Sequence, residues 1–106
     1  MDSEPITLIN VFEIRRDEVD EFVRGWQERA AFLSRQPGFR SLRLHSALSP
    51  DTRYQLVNVA EWESAEALQA ATSQEYFQQS AQRSVREFAE AAHPAIYRVA
   101  LEVSAE

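Results

Sequence analysis

The sequence predicts an α+β fold of order strand, helix, strand, strand, helix, strand, and three observations carry that reading. Apolar residues alternate with period two in four stretches, helical spacing governs the two regions that separate the outer strands from the central pair, and turn or capping residues mark the junctions. The first strand covers residues 6 to 14. Ile6, Leu8, Asn10, Phe12 and Ile14 share one face, and Thr7, Ile9, Val11 and Glu13 share the other. Asp17 is placed to cap the helix that follows, with Glu18, Asp20 and Glu21 in its first turn, where the helix dipole favours carboxylates. This helix is expected to reach about Arg35. Its residues Val19, Phe22, Val23, Trp26, Ala30 and Leu33 fall within an arc of about 100°, one buried stripe. Gln36-Pro37-Gly38 ends it.

A second strand runs from about Phe39 to Leu48, with Leu42 and Leu44 on one face and Arg43 and His45 on the other. Ser49-Pro50-Asp51-Thr52 is turn chemistry, and it links this strand to a third, residues 53 to 62, as an antiparallel hairpin. Tyr54, Leu56, Asn58, Ala60 and Trp62 point one way along the third strand, and Gln55, Val57, Val59 and Glu61 the other. Ser64 is a cap for a short helix, and Ser73 for a longer one over residues 74 to 92 with the stripe Phe77, Ala81, Val85, Phe88 and Ala92. His93-Pro94 is expected to end the helical region, with His93 capping it, before a last strand over residues 96 to 103. This order is that of the ferredoxin-like βαββαβ fold, a four-stranded antiparallel sheet with helices on one face. Residues 1 to 106 form one domain on this reading, with a core over residues 6 to 103.

Composition excludes several functions. A formal charge of -6 makes attraction to nucleic acid or to anionic membranes unfavourable. The absence of cysteine removes disulfides, thiolate metal sites and cysteine nucleophiles. With only Gly25 and Gly38, no glycine-rich phosphate loop can form. The acidic N-terminus lacks the features of a secretory signal and no apolar run is long enough to span a bilayer, so a cytoplasmic location is expected.

Helices cover one sheet face only, yet Ile9, Val11, Val57 and Val59 make the opposite face apolar as well. A second copy, packed sheet against sheet, would cover it, so a homodimer is expected. On the face with Leu8, Phe12 and Leu56, alternation places two amides, Asn10 and Asn58, at apolar positions. Buried amides need partners, and with the Trp62 indole N–H they would put hydrogen-bonding groups into an apolar pocket suited to a flat aromatic ligand. Asn58 and Trp62 lie four residues apart on one strand, on the same side and about 13 Å apart along it.

Ile9-Asn10-Val11-Phe12, Gln36-Pro37-Gly38-Phe39, and Val57 to Trp62 followed by Ser64-Ala65-Glu66 resemble the antibiotic biosynthesis monooxygenase superfamily of dimeric α+β barrels, over about residues 6 to 103. Within it the chain resembles the cofactor-independent quinone-forming monooxygenases, which oxidise anthrone-type polyketide intermediates. The resemblance implies catalytic roles for Asn58 and Trp62, a substrate-binding set of Asn10, Phe12, Leu56 and Phe77, no metal and no cofactor. It also implies an aromatic substrate and molecular oxygen as partners. That subfamily uses an arginine from the second helical region; Arg83 faces away from the stripe and Arg86 only flanks it, so neither is assigned.

Haem-degrading relatives are the alternative. They carry an Asn on the first strand and a Trp ending the third, matched by Asn10 and Trp62, but an axial His on the last helix, where this chain has Ser80. His45 reads as a solvated or structural histidine. A non-catalytic small-molecule-binding module is a third reading, since one fold hosts many functions.

Overall fold

The computed structural model describes residues 4–88 and 91–106. β1 (Ile6–Glu13) leads through a 3-10 turn (Arg16–Glu18) into α1 (Val19–Ser34). β2 (Phe39–Ser46), β3 (Leu56–Trp62), α2 (Ala65–Thr72), α3 (Glu75–Phe88) and β4 (Ala91–Tyr97) follow. The strands form one antiparallel sheet of order β2-β3-β1-β4, so β1 and β3 are central and the helices lie on one face, the ferredoxin-like arrangement. Among the described residues no helix is long and apolar enough to cross a membrane.

Pairing register sets which side chains meet beneath the helices. Asn10 lies opposite both Asn58 and Pro94, and Asn58 opposite Leu44, so these four residues make one row across the sheet. The pleat sends the whole row to the helical side with Leu8, Phe12 and Ala60. Two apolar clusters flank it. Phe12, Ile14, Phe22, Trp26, Leu56 and Phe88 form one, in which the Phe22 ring lies 5.4 Å from both Phe12 and Phe88. Ile6, Leu33, Ala60, Trp62 and Ala71 form the other, closed by Phe39 standing edge-on to Trp62 at 5.3 Å.

Several element ends differ from the sequence expectation. Asp17 caps nothing: its carboxylate takes a 2.7 Å contact from Arg15, and α1 starts behind a 3-10 turn without a side-chain cap. The Ser49 to Thr52 turn forms, but β3 begins at Leu56 because Gln55 is drawn into the turn. The Gln55 amide donates to the carbonyls of Ser49 and Thr52 and its oxygen accepts from Arg16, so this buried side chain fastens the hairpin rather than extending the strand. Ser64 does cap α2, accepting from the Ala67 N–H at 3.1 Å. Ser73 instead lies at the C-terminal end of α2.

The largest correction is at the C-terminal end. The helix stops at Phe88, residues 89 and 90 fall outside the described residues, and the last strand is 91–97 rather than 96–103. Ala92, expected on the helix stripe, and His93-Pro94, expected to end a helix, are in β4. Proline lacks a donor, and β4 tolerates it because it is an edge strand. His93 therefore caps no helix. It faces away from the helices and lies 3.5 Å from Glu13. Beyond β4 the chain carries Val99, Leu101 and Val103 exposed and without regular structure.

Candidate active site

Between the inner face of β1 and β4 and the helices α2 and α3 lies a cleft of about 530 Å³. Leu8, Phe12, Pro94 and Ile96 form its sheet wall, and Leu68, Phe77, Ala81 and Val85 its helical wall. The predicted α3 stripe is thus divided: Phe77, Ala81 and Val85 face the cleft, while Phe88 turns into the core. Val85 and Ile96, each about half exposed, stand at the mouth (48% and 49%).

Past Asn10, Phe12, Arg29 and Phe77, which border both spaces, the cleft leads to a chamber of about 40 Å³. Asn58, Trp62, Trp26, Leu33, Leu42 and Ala60 line the chamber but not the cleft. Asn10, Asn58 and Trp62 therefore meet in one enclosed space, with Phe12 and Phe77 beside them. Leu56 does not join them, because it lies one pleat further along β3, where Phe22 and Phe88 cover it.

Three buried polar atoms of these lining residues have no hydrogen-bond partner among the described residues: Asn10 Oδ1, Asn58 Oδ1 and Trp26 Nε1. Leaving such a group unpaired costs about 1–3 kcal/mol, so the three are a standing stability cost that Leu or Phe at the same positions would avoid. Trp26, read from the sequence as core, borders the chamber on one side. On the other it meets a crevice of about 60 Å³ between α1 and α3, with Gly25, Ser80 and Ser84.

Arg29 is the functional candidate that the sequence reading missed. It is buried, 6% exposed, and borders both cleft and chamber. Its Nε and Nη2 donate to the hydroxyl and carbonyl oxygens of Ser80 at 3.3 and 3.1 Å, and its guanidinium lies 5.7 Å from the centre of the Phe77 ring. The signal was present: Phe22, Trp26, Arg29 and Leu33, the buried residues of α1, follow helical spacing, so a charge there sits mid-stripe. Arg83 and Arg86 are exposed and line neither the cleft nor the chamber.

Among the described residues no carboxylate and no imidazole borders the cleft or the chamber, and Arg29 is the one charged residue of those that line them. His45, on the outer face of β2, lies 3.3 Å from the Val57 carbonyl, and His93 pairs with Glu13. Ser80, about where the haem-degrading alternative expects an axial ligand, accepts from Arg29. These residues do not fit a haem. Among the described residues no group of His, Cys, Asp or Glu is placed to hold a metal ion. Charge gathers instead outside the site, where Arg53 donates to Glu13 at 2.8 Å and holds its carboxyl below the ordinary glutamate range. Glu61 likewise stays on the outer face, accepting from the Thr7 hydroxyl.

The sequence profile of antibiotic biosynthesis monooxygenases matches residues 5–83. The chain belongs to the antibiotic biosynthesis monooxygenase family. A search of curated proteins finds no match. Among solved structures, a candidate monooxygenase of Shewanella loihica PV-4 shares 31% identity and a TM-score of 0.77, over 96% of this chain and 99% of that one. SnoaB of Streptomyces nogalater, a cofactor-independent oxygenase, shares 25% identity and a TM-score of 0.81, over 94% and 97%. Rv0793 of Mycobacterium tuberculosis shares 16% identity and a TM-score of 0.76, over 95% and 100%, a likeness of fold alone. In this member of the family the chamber lies within the matched segment, and the cleft does so only in part, Val85 and β4 supplying the rest of its wall.

Proposed function

We propose that this protein is a cofactor-independent monooxygenase that oxidises an aromatic, anthrone-like substrate with molecular oxygen to a quinone. The observation that carries the proposal is the joining of an apolar cleft of about 530 Å³ to a chamber lined by the Asn10 and Asn58 amides and the Trp62 indole. Likeness to SnoaB, a cofactor-independent oxygenase, supports the same chemistry. The ring system lies between Leu8 and Phe12 on one side and Phe77 and Ala81 on the other. Its oxygen-bearing edge is directed past Asn10 toward Asn58 and Trp62. An anthrone that loses a proton becomes an electron-rich enolate able to pass one electron to oxygen. Recombination gives a hydroperoxide, and loss of water leaves a carbonyl: the carbon loses two hydrogens and gains one oxygen, and the second oxygen atom leaves as water. The Asn58 side-chain NH2 and the Trp62 indole N–H donate to the enolate oxygen, and the dry walls strengthen those bonds.

On this proposal the proton leaves to solvent or to the substrate's own groups. Oxygen uptake with an anthrone, measured in the presence of a chelator, should be stimulated by the protein and rise with pH through the substrate's own ionisation. No stimulation over the spontaneous rate would sink the reading.

The working unit on this proposal is a homodimer. Ile9, Val11, Val57 and Val59 remain half-buried on the sheet face away from the helices, and a second sheet would cover them. Sedimentation equilibrium should return about twice the chain mass of 12.2 kDa, and Val59→Asp should restore a single-chain mass. A wild-type monomer at micromolar concentration would refute the dimer.

A further inference from the structure

We propose that the segment beyond β4, residues 98–106, is an arm that crosses to a second copy of this chain and adds a strand to the open edge of that copy's β2. This rests on the homodimer of the function proposed above and goes beyond it in naming the segment exchanged and the edge that receives it.

The segment has the pattern of a strand without being one. Val99, Leu101 and Val103 alternate with Arg98, Ala100, Glu102 and Ser104, an apolar row against a mostly polar one. Yet the three apolar residues are 69%, 83% and 82% exposed, and residues 98–106 belong to no helix or strand. The Cα radius of gyration, 14.5 Å, exceeds the roughly 13 Å of a compact domain of this length, in keeping with a segment that projects from the body.

Tyr97 pairs with Thr7 and His93 with Val11, so the odd-numbered residues of β4 point away from the helices. An extended continuation keeps that parity. It puts Val99, Leu101 and Val103 on the side of Ile9, Val11, Val57 and Val59, so the arm's apolar row points toward a second copy and away from its own cleft. Of the two sheet edges, β4 is broken by Pro94, which has no N–H to offer, whereas β2 has a backbone donor at every residue from Phe39 to Ser46. Charge agrees. β2 carries Arg40, Arg43 and His45 and no acid, and the arm carries Glu102 and Glu106. A two-fold axis running along the strands between two stacked sheets sets β4 of one copy over β2 of the other, about 10 Å away, and six extended residues reach about 20 Å. β2 supplies Leu42 to the chamber wall, so the arm of one copy braces the site of the other.

Introduced cysteines test the exchange, because the chain has none of its own. Full-length copies carrying Leu101→Cys are mixed through mild unfolding with copies carrying Ser41→Cys, Arg43→Cys or His45→Cys, three exposed β2 positions on the face away from the helices, and then oxidised. A disulfide needs Cα atoms within about 7 Å, so only a seated arm can form one. At least one of these pairings should give the mixed disulfide as its main covalent product, and Leu101→Cys with Ala95→Cys, at the β4 edge, should not. Hydrogen exchange on the unmodified chain is the second measurement. The amides of residues 99–103 should exchange at least about 10²-fold more slowly than in an unstructured peptide. Wild-type dimers, by sedimentation equilibrium, that give no mixed disulfide at β2 or leave residues 99–103 exchanging freely would overturn the exchange and keep the homodimer. A disulfide formed at β4 in place of β2 would overturn it as well. A wild-type monomer would remove the homodimer and the exchange with it.

Discussion

Replacing Asn58 by alanine should lower kcat for anthrone-dependent oxygen uptake by about 10²–10³-fold, the usual effect of deleting one donor that stabilises a developing oxyanion. The same change should move folding stability by less than about 1 kcal/mol. Asn58 is 3% exposed, but its amide oxygen has no hydrogen-bond partner among the described residues, so alanine removes a buried acceptor without breaking a bond to it. The two readouts together make the test specific. A structural amide would give the opposite pattern, with large destabilisation and activity lost only through unfolding. Oxygen uptake within about threefold of wild type in a folded Asn58→Ala protein would remove this residue from the mechanism.

Gly38→Ala should destabilise the protein by roughly 2–4 kcal/mol in denaturant titration, combining a left-handed backbone penalty with overpacking. Gly38 has a φ of +87°, and a Cβ built there would lie 2.5 Å from the Ala67 Cβ in the first turn of α2. The Gly38 carbonyl also accepts from the Glu63 N–H at 2.7 Å, so this residue ties the end of α1 to the end of β3. Accommodating a methyl group would push away α2, which supplies Leu68 and Thr72 to the cleft. Gly25 provides the contrast. It lies within α1, and a Cβ there meets nothing within 4 Å. Gly25→Ala should leave stability unchanged or raise it by about 0.5–1 kcal/mol through helix propensity. Equal effects at the two positions would contradict this account.

The sheet was readable because period-two alternation in the first and third strands survives even where asparagine interrupts it. The same interruption made the site legible: an amide at an apolar position of β1 and another on β3 share a face by pleat alone, and only the register was needed to set Asn10 opposite Asn58. What escaped was decided by tertiary contact. The stripe Phe77, Ala81, Val85, Phe88, Ala92 runs unbroken at helical spacing, yet Ala92 is in β4, because pairing with β1 claims residues 91–97. Leu56 shares the strand face of Asn58 and Trp62 but is displaced from the cavity by the aromatic cluster around Phe22. Arg29 was passed over because charge suggests solvent. Burial of its guanidinium depends on Ser80 and Phe77, 51 and 48 residues further along the chain, which no local pattern announces.

Strand order also governs when the site can come into being. β1 is synthesised first but ends up between β3 and β4. On the ribosome, the β2–β3 hairpin and one flank of β1 can be completed once residue 62 has emerged, while the other flank has no partner until residue 97 does. The cleft is therefore the last piece of architecture to close, and a nascent chain arrested within α3 would expose a bare strand edge beside its central amide.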